Sequence, residues 1–379
     1  MARKTIERNI SYDNVRRCYY VHLDSGMDDS GRRRRVYRTF PTLPQARKAL
    51  ATFLAERAIY CEVAPSTTTL DDWLRYWMDE IIKPNRAETT VYGYGKIIEN
   101  HLSPALGTVQ IQQLTPRQIQ QYYAMLLRDK GLSPNTIRRH HDVLSAALRT
   151  AVRQDLLMRS PTERVEPPRM IPHEARFYSA ENLKRLYAAV EGHWLELIVK
   201  LAGCLGLRRE ELCGLKWESV DFTRRRITIR EARTAAGATI VQKETKNRSS
   251  ARALHMVDEL YPLLRREYAR QAEDRLRLGE EWPDTGLVLV DRTGQPYSPN
   301  NISLAFMRFI RKKGLPDISL HGLRHTFATV ASAQGVPLFE IGKALGHSTP
   351  ATTGRIYTHL LDQAHTSTLS RVASALKEG

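Results

Sequence analysis

From Leu70 onward, apolar residues recur three and four positions apart. Leu70, Trp73, Leu74, Trp77 and Met78 predict a helix that ends before Pro84. Glu88 to His101 predicts a second, stopped by Ser103-Pro104. Thr115-Pro116-Arg117-Gln118 has the residues of a capping box with proline at the first helical position. A third helix is therefore expected from Pro116 to about Lys130, where Gly131 ends it. Ser133-Pro134 opens a fourth, about 134–154, with Ile137, Val143, Leu144, Ala147, Leu148 and Val152 as its buried stripe.

The period shortens at both ends of this helical run. Val15 to Leu23 is rich in β-branched and aromatic residues, Asp24-Ser25-Gly26 and Asp28 to Gly31 supply turn chemistry, and Arg35 to Phe40 alternates as a returning strand. Thr42 precedes a helical pattern from Leu43 to Tyr60. Beyond residue 174, helices are expected over 180–190, 193–206 and 208–216. Strands are expected at Val220-Asp221-Phe222, Arg226 to Arg230, Thr239 to Lys243 and Ala251 to Val257. Further helices are expected over 258–277, 299–313, 321–334, 338–345, 350–362 and 366–377.

Two stretches break the pattern. Cys61 to Thr68 is a linker, and Met158 to His173, with Pro161, Pro167, Pro168 and Pro172, cannot hold a regular element. Three domains follow: 1–62, 69–160 and 174–379. The expected fold class is multidomain α+β. It comprises a small N-terminal three-stranded sheet with one helix, an all-α middle domain, and a mainly α C-terminal domain with a small antiparallel sheet.

Charge identifies the partner class. The 379 residues carry a formal net charge of +17, and residues 1–60 have a marked local excess of basic residues. That balance predicts a polyanion, and double-stranded DNA is favoured over a membrane because no basic helix has a continuous apolar face with bulky anchors. Candidate DNA contacts are Arg16 and Arg32, Arg33, Arg34 and Arg35 on the first sheet, and Arg138, Arg139 and His140 on the fourth helix. A solvated basic turn and a solvated helix face are the competing readings. Cys18, Cys61, Cys204 and Cys213 lack metal-ligand spacing, so reduced thiols and no metal are expected. No apolar run approaches a membrane span, and Met1 to Asn9 leads into no apolar signal core, so the expected location is cytoplasmic.

The chemistry-bearing residues cluster late. Breaking a phosphodiester without a metal requires cations on the non-bridging oxygens, an aligned nucleophile and an acid for the leaving oxygen. Gly206-Leu207-Arg208-Arg209-Glu210-Glu211-Leu212, His321-Gly322-Leu323-Arg324-His325, Leu345-Gly346-His347 and Ile356-Tyr357-Thr358-His359 resemble, in order and spacing, the motifs of tyrosine recombinases. The three-part organisation resembles integrases of conjugative transposons and temperate phages.

The resemblance implies that Arg208 and Arg324 grip the scissile phosphate. It implies that His321 assists the nucleophile or a non-bridging oxygen, that His347 adds a donor, and that Tyr357 attacks to give a 3′-phosphotyrosyl link. No metal, ATP or other cofactor is implied. The family places its general acid, a lysine, on a β-hairpin turn. Lys246 is preferred and Lys243 is the alternative, both lying between the strands at 239–243 and 251–257. Arm-type binding by 1–62, core-site binding by 69–160, a homo-tetramer on DNA, and excision or DNA-bending accessory proteins are likewise implied.

Taken singly, each residue has a plainer reading. Arg208, for instance, could simply pair with Glu211. The rival functions are a type IB topoisomerase-like relaxing enzyme and a non-catalytic DNA-binding regulator. The segment 362–379 carries Leu369, Val372, Ala375 and Leu376 at helical spacing, either to dock on a neighbouring protomer or to pack on its own domain.

Overall fold

A computed structural model of the chain describes residues 4–27, 33–59, 63–172, 176–244 and 251–347. The expected helices over 350–362 and 366–377 lie outside these. The chain divides into two compact units at Pro172/His173.

The first unit opens with a four-stranded antiparallel sheet in sequential order, β1 (Lys4–Glu7), β2 (Ile10–Asp13), β3 (Cys18–Met27) and β4 (Arg33–Phe40), followed by α1 (Leu43–Ile59). The expected three strands are therefore four. The added pair turns at Asn9, which adopts a left-handed conformation (φ 70°). Register explains why β2 is stable despite its length: Ile10 pairs with Val21, and both are buried with Ala46 of α1.

The helical part of this unit has its own core. α2 (Leu70–Tyr76) passes through a wide π turn (Trp77–Ile82) into α3 (Lys83–Asn85). α4 (Glu88–Ile97) likewise passes through Ile98–Leu102 into α5 (Ser103–Leu106). Neither helix stops where its proline predicts. Pro84 and Pro104 each enter just after a π turn, whose altered hydrogen-bond register absorbs the missing N–H that would break a regular α-helix. α6 (Pro116–Arg128) begins at the predicted capping box, with Thr115 N donating to Gln118 Oε1 at 2.9 Å and Gln118 N donating to Thr115 Oγ1 at 3.3 Å. α7 (Pro134–Arg153) buries its predicted stripe against Leu70, Trp73, Leu74 and Trp77.

On α7, Arg139 is exposed and Arg138 is half-buried, its Nη1 3.5 Å from the Pro168 carbonyl oxygen. His140 is not a surface residue. It is 2% exposed, and its Nδ1 shares a 2.7 Å hydrogen bond with Tyr122 Oη, so it has no access to DNA. The cause is helical spacing: position 140 falls three after Ile137 and four before Leu144, on the buried stripe.

The second unit packs α8 (Ala180–Val190), α9 (Glu196–Leu205), α10 (Arg209–Gly214), α11 (Tyr261–Leu278), α12 (Pro299–Lys312), α13 (Leu320–Ala333) and α14 (Leu338–Leu345). One large core gathers α8, α9, α11, α12 and the start of α13, and a smaller cluster seats α14 on α13 through Ala328, Ile341 and Leu345.

Its strands form two sheets rather than one. β5 (Val220–Asp221), β6 (Arg226–Ile229) and β9 (Arg252–His255) make one, while among the described residues β7 (Glu231–Ala236) pairs only with β8 (Thr239–Glu244). The segments expected to flank a lysine hairpin are thus not partners of each other. β8 pairs with β7, and β9 pairs with β6. Among the described residues no helix is long and apolar enough to cross a membrane.

Burial, with a smaller effect of nearby His101, lowers the His140 pKa to about 4. In the unfolded chain it lies near 6.5, so between these values only the unfolded chain takes up the proton. Stability is then fully present above about pH 6.5 and is lost as pH falls towards 4, by up to roughly 3 kcal/mol. Urea midpoints measured from pH 7 to pH 4.5 should fall accordingly, and the fall should flatten in His140→Gln. A slope unaltered by the substitution would refute the assignment.

Candidate active site

Two helix ends create the site. α9 closes on Gly206, in a left-handed conformation (φ 61°), and α14 closes on Gly346 in the same way (φ 67°). His347 N then folds back onto the Gly342 carbonyl at 3.0 Å. Each closure leaves carbonyls at the negative end of a helix, and arginines take them up. Arg324, in the second turn of α13 and 2% exposed, donates from Nη1 to Gly206 O and from Nη2 to Leu345 O, both at 2.7 Å. Arg208, the extended residue before α10, donates from Nη2 to Gly346 O at 3.1 Å. Arg208 and Arg324 are thereby pinned to the same turn of chain although 116 positions separate them in the sequence.

A buried carboxylate orders the other side of Arg208. Glu211 accepts from Arg208 N at 2.9 Å and from Arg208 Nη1 at 2.8 Å. It also takes a two-pronged contact from Arg252, Nη1 at 3.0 Å and Nη2 at 2.8 Å. Burial by itself would raise the Glu211 pKa, but the Arg252 hydrogen bonds and charge, with Arg208, hold it below the usual carboxylate range. Two guanidinium groups thus share one carboxylate, leaving a surplus of positive charge suited to an anion.

Both histidines of the motif are neutral near pH 7. His347 is driven down to about 4 by burial first and then by Arg324, Arg208 and Arg252. The pKa of His321, on the first turn of α13, is lowered by crowding against protein and then by Arg324, although solvent reaches its surface. Its ring meets that of His325 edge-on at 5.0 Å. Neutral imidazoles offer one donor and one acceptor each, which suits hydrogen bonding and proton handling rather than charge neutralisation.

Of the six expected catalytic residues, the structure brings Arg208, Arg324 and His347 to one place, with His321 within the field of the same arginines. Lys246 and Tyr357 lie outside the described residues, as does Arg32. Lys243 is in β8 and Arg33, Arg34 and Arg35 are in β4. Arg16 is exposed in the turn between β2 and β3, with Nη1 3.2 Å from Tyr20 Oη. Among the described residues no three His, Cys, Asp or Glu side chains gather as a metal would require. The plainer reading of Arg208, pairing with Glu211, is realised together with its place in the site. Arg252 was missed, and its signal was an arginine that, with His255, interrupts the apolar stretch Ala251 to Val257.

Arginines held by helix ends, neutral histidines and a basic chain define a protein that handles phosphodiesters of nucleic acid. Two family models identify which. "Phage integrase family" matches residues 176–364, and "Phage integrase, N-terminal SAM-like domain" matches residues 69–127. The chain belongs to the phage integrase family of tyrosine recombinases, and it is a tyrosine-type site-specific recombinase.

A XerC-like tyrosine recombinase of Caldanaerobacter subterraneus subsp. tengcongensis is 27% identical over 372 residues, covering 93% of this chain and 95% of its own. An integrase of Streptomyces ambofaciens is 25% identical over 360 residues, covering 92% and 91%. The fold is similar to that of the Tn1549 transposon integrase solved in complex with a circular intermediate DNA. The TM-score is 0.67 at 19% identity, over 80% of this chain and 99% of that one.

Gly206 is sensitive on two counts. A Cβ there would lie 2.5 Å from Leu345 Cδ2 and 3.0 Å from Phe327 Cδ1, and the left-handed backbone adds strain. Gly206→Ala should cost about 1–3 kcal/mol and displace the carbonyl that holds Arg324. Thermal unfolding should report the first effect and DNA cleavage the second. Wild-type values for both would show that the turn is not under this constraint.

Proposed function

We propose that this recombinase integrates and excises a mobile element through a covalent 3′-phosphotyrosyl intermediate. Arg208 and Arg324 hold the two non-bridging oxygens of the scissile phosphate, and His347 donates to the same group. His321 accepts the phenolic proton or supports a non-bridging oxygen. Tyr357 Oη forms a bond to phosphorus while the bond from phosphorus to the 5′-oxygen breaks. Lys246 gives its proton to the departing 5′-oxygen, with Lys243 as the alternative donor. Attack by the 5′-hydroxyl of a second strand reverses these steps and releases the tyrosine. The bond energy is conserved in the covalent link, so neither ATP nor a metal is invoked.

The observation that carries this reading is the attachment of Arg208 and Arg324 to one turn of chain at Leu345-Gly346, immediately before the neutral His347. Charge held in that way is ready before substrate arrives, which is the condition for stabilising charge that builds during reaction. The match of two family models in the order expected for a middle and a catalytic domain supports the same reading.

We further propose a division of labour. Residues 1–62 bind distal arm sites through Arg16 and Arg32 to Arg35. Residues 69–160 bind core sites, with Arg138 and Arg139 on the DNA side. Residues 174–379 carry out catalysis. Four copies assemble on DNA in the cytoplasm, with segment 362–379 linking neighbours, and excision or DNA-bending proteins assist. A relaxing topoisomerase explains neither the basic N-terminal sheet nor its separate hydrophobic core.

A duplex spanning the element–chromosome junction, nicked beside the cleavage position, provides the test. The intact protein should form a covalent adduct and Tyr357→Phe should form none, and an adduct that persists in the variant sinks the nucleophile assignment. Arg208→Ala and Arg324→Lys should lower cleavage by about 10²-fold or more while duplex binding survives, because many other basic residues contact the backbone. Deletion of 1–62 should remove footprints at distal sites and spare those at the core.

A further inference from the structure

We propose that Arg252 is a positioning residue for DNA cleavage: by occupying Glu211, it keeps the Arg208 guanidinium turned to the phosphate. The inference rests on the assignment of Arg208 as a phosphate ligand and goes beyond it.

Arg252 opens β9, directly after residues 245–250. Its side chain is 7% exposed and meets three parts of the site. Nε donates to Ala344 O, in the last turn of α14, at 2.7 Å. The two Nη groups fork onto both oxygens of Glu211. Nη1 also fills the space beside Gly346, where a Cβ would lie only 2.8 Å away. On the backbone side, Arg252 pairs with Ile229 of β6, so the strand that carries it is fixed.

Two arginines therefore share one carboxylate, and the sharing has a chemical consequence. A carboxylate facing a single arginine draws it into a two-pronged pair that neutralises it and occupies its best fork. Here Arg252 takes the fork, so Arg208 makes one side-chain contact to Glu211, through Nη1, and one to Gly346 O, through Nη2. Donors of Arg208 remain for a phosphate, and the trio keeps a net positive charge. Without Arg252, Glu211 becomes a buried carboxylate with only Arg208 to satisfy it, and Arg208 is pulled from the substrate.

The test measures binding and single-turnover cleavage of the nicked junction duplex by the full chain. Arg252→Gln should cleave about 10- to 100-fold more slowly with its duplex Kd changed less than about 3-fold, and Arg252→Lys, which restores the charge, should recover a substantial part of the rate. Replacing one non-bridging oxygen of the scissile phosphate by methyl removes the charge that Arg208 must meet. On that substrate the gap between wild type and Arg252→Gln should narrow at least several-fold, and a misfolded site would leave the gap unchanged. Arg208→Ala should be scarcely worsened by adding Arg252→Gln.

Wild-type cleavage by Arg252→Gln, an equal defect on both substrates, or additive losses in the double variant would each overturn the proposal. If Arg208→Ala itself cleaves normally, the phosphate assignment of Arg208 fails instead, which separates the two failures.

Discussion

The catalytic unit depends on one electrostatic arrangement: guanidinium groups bound to the carbonyl ends of α9 and α14. Removing a charge from water costs several kcal/mol unless polar partners replace the solvent. Among the described residues, Arg324 recovers part of that cost from Gly206 O and Leu345 O, which are neutral dipoles. Dipoles stabilise the cation without cancelling it, so its field persists in the site. An Asp or Glu in the same place would have satisfied the guanidinium and removed the charge a phosphate requires. Among the described residues, Glu211 is the buried carboxylate bonded to these groups, and it is shared by Arg208 and Arg252.

The same arrangement accounts for the glycines. Each helix must end abruptly enough to turn its last carbonyls towards an arginine, and a left-handed residue does this in one step. Gly206 and Gly346 both adopt that conformation, and both are hemmed in, by Leu345 and Phe327 in one case and by Arg252 in the other. Local backbone chemistry and long-range packing thus converge on the same two residues. His347 follows in the same way: burial first, and then the three arginines nearby, hold it neutral, as suits a hydrogen-bonding group.

Features with local causes were legible in the sequence. The box Thr115 to Gln118, the helix starts at Ser133 and Ser179, and the amphipathic stripe of α7 follow from a few adjacent residues. Features with distant causes were not. β7, Glu231 to Ala236, has little strand propensity of its own and is extended because it pairs with β8. Pro104 marked a helix end by its local rule, and the π turn before it changed that outcome. His140 was misplaced by its neighbours Arg138 and Arg139, although its spacing from Ile137 and Leu144 already put it on the buried face. In the site, Arg208, His321, Arg324 and His347 were recognisable from motif order. Arg252 was not, because its partners Glu211 and Ala344 lie 41 and 92 positions away in the chain.

That distribution has a physical reason. Groups that meet a substrate must be of a fixed chemical type at a fixed spacing, so they leave a pattern along the chain. Groups that orient them need only reach them in space, and any strand or helix end passing nearby can supply one. Arg252 is of the second kind, since it owes its place to β9 lying beside the start of α10 and the end of α14. A guanidinium that is buried, forked onto a carboxylate and also bonded to a carbonyl has little freedom left to move. Such rigidity is costly as a source of stability alone, because an apolar side chain of similar volume often fills a core site as well or better. Its place beside Arg208 is better explained by the orientation it imposes on that side chain than by the strength of the contact itself.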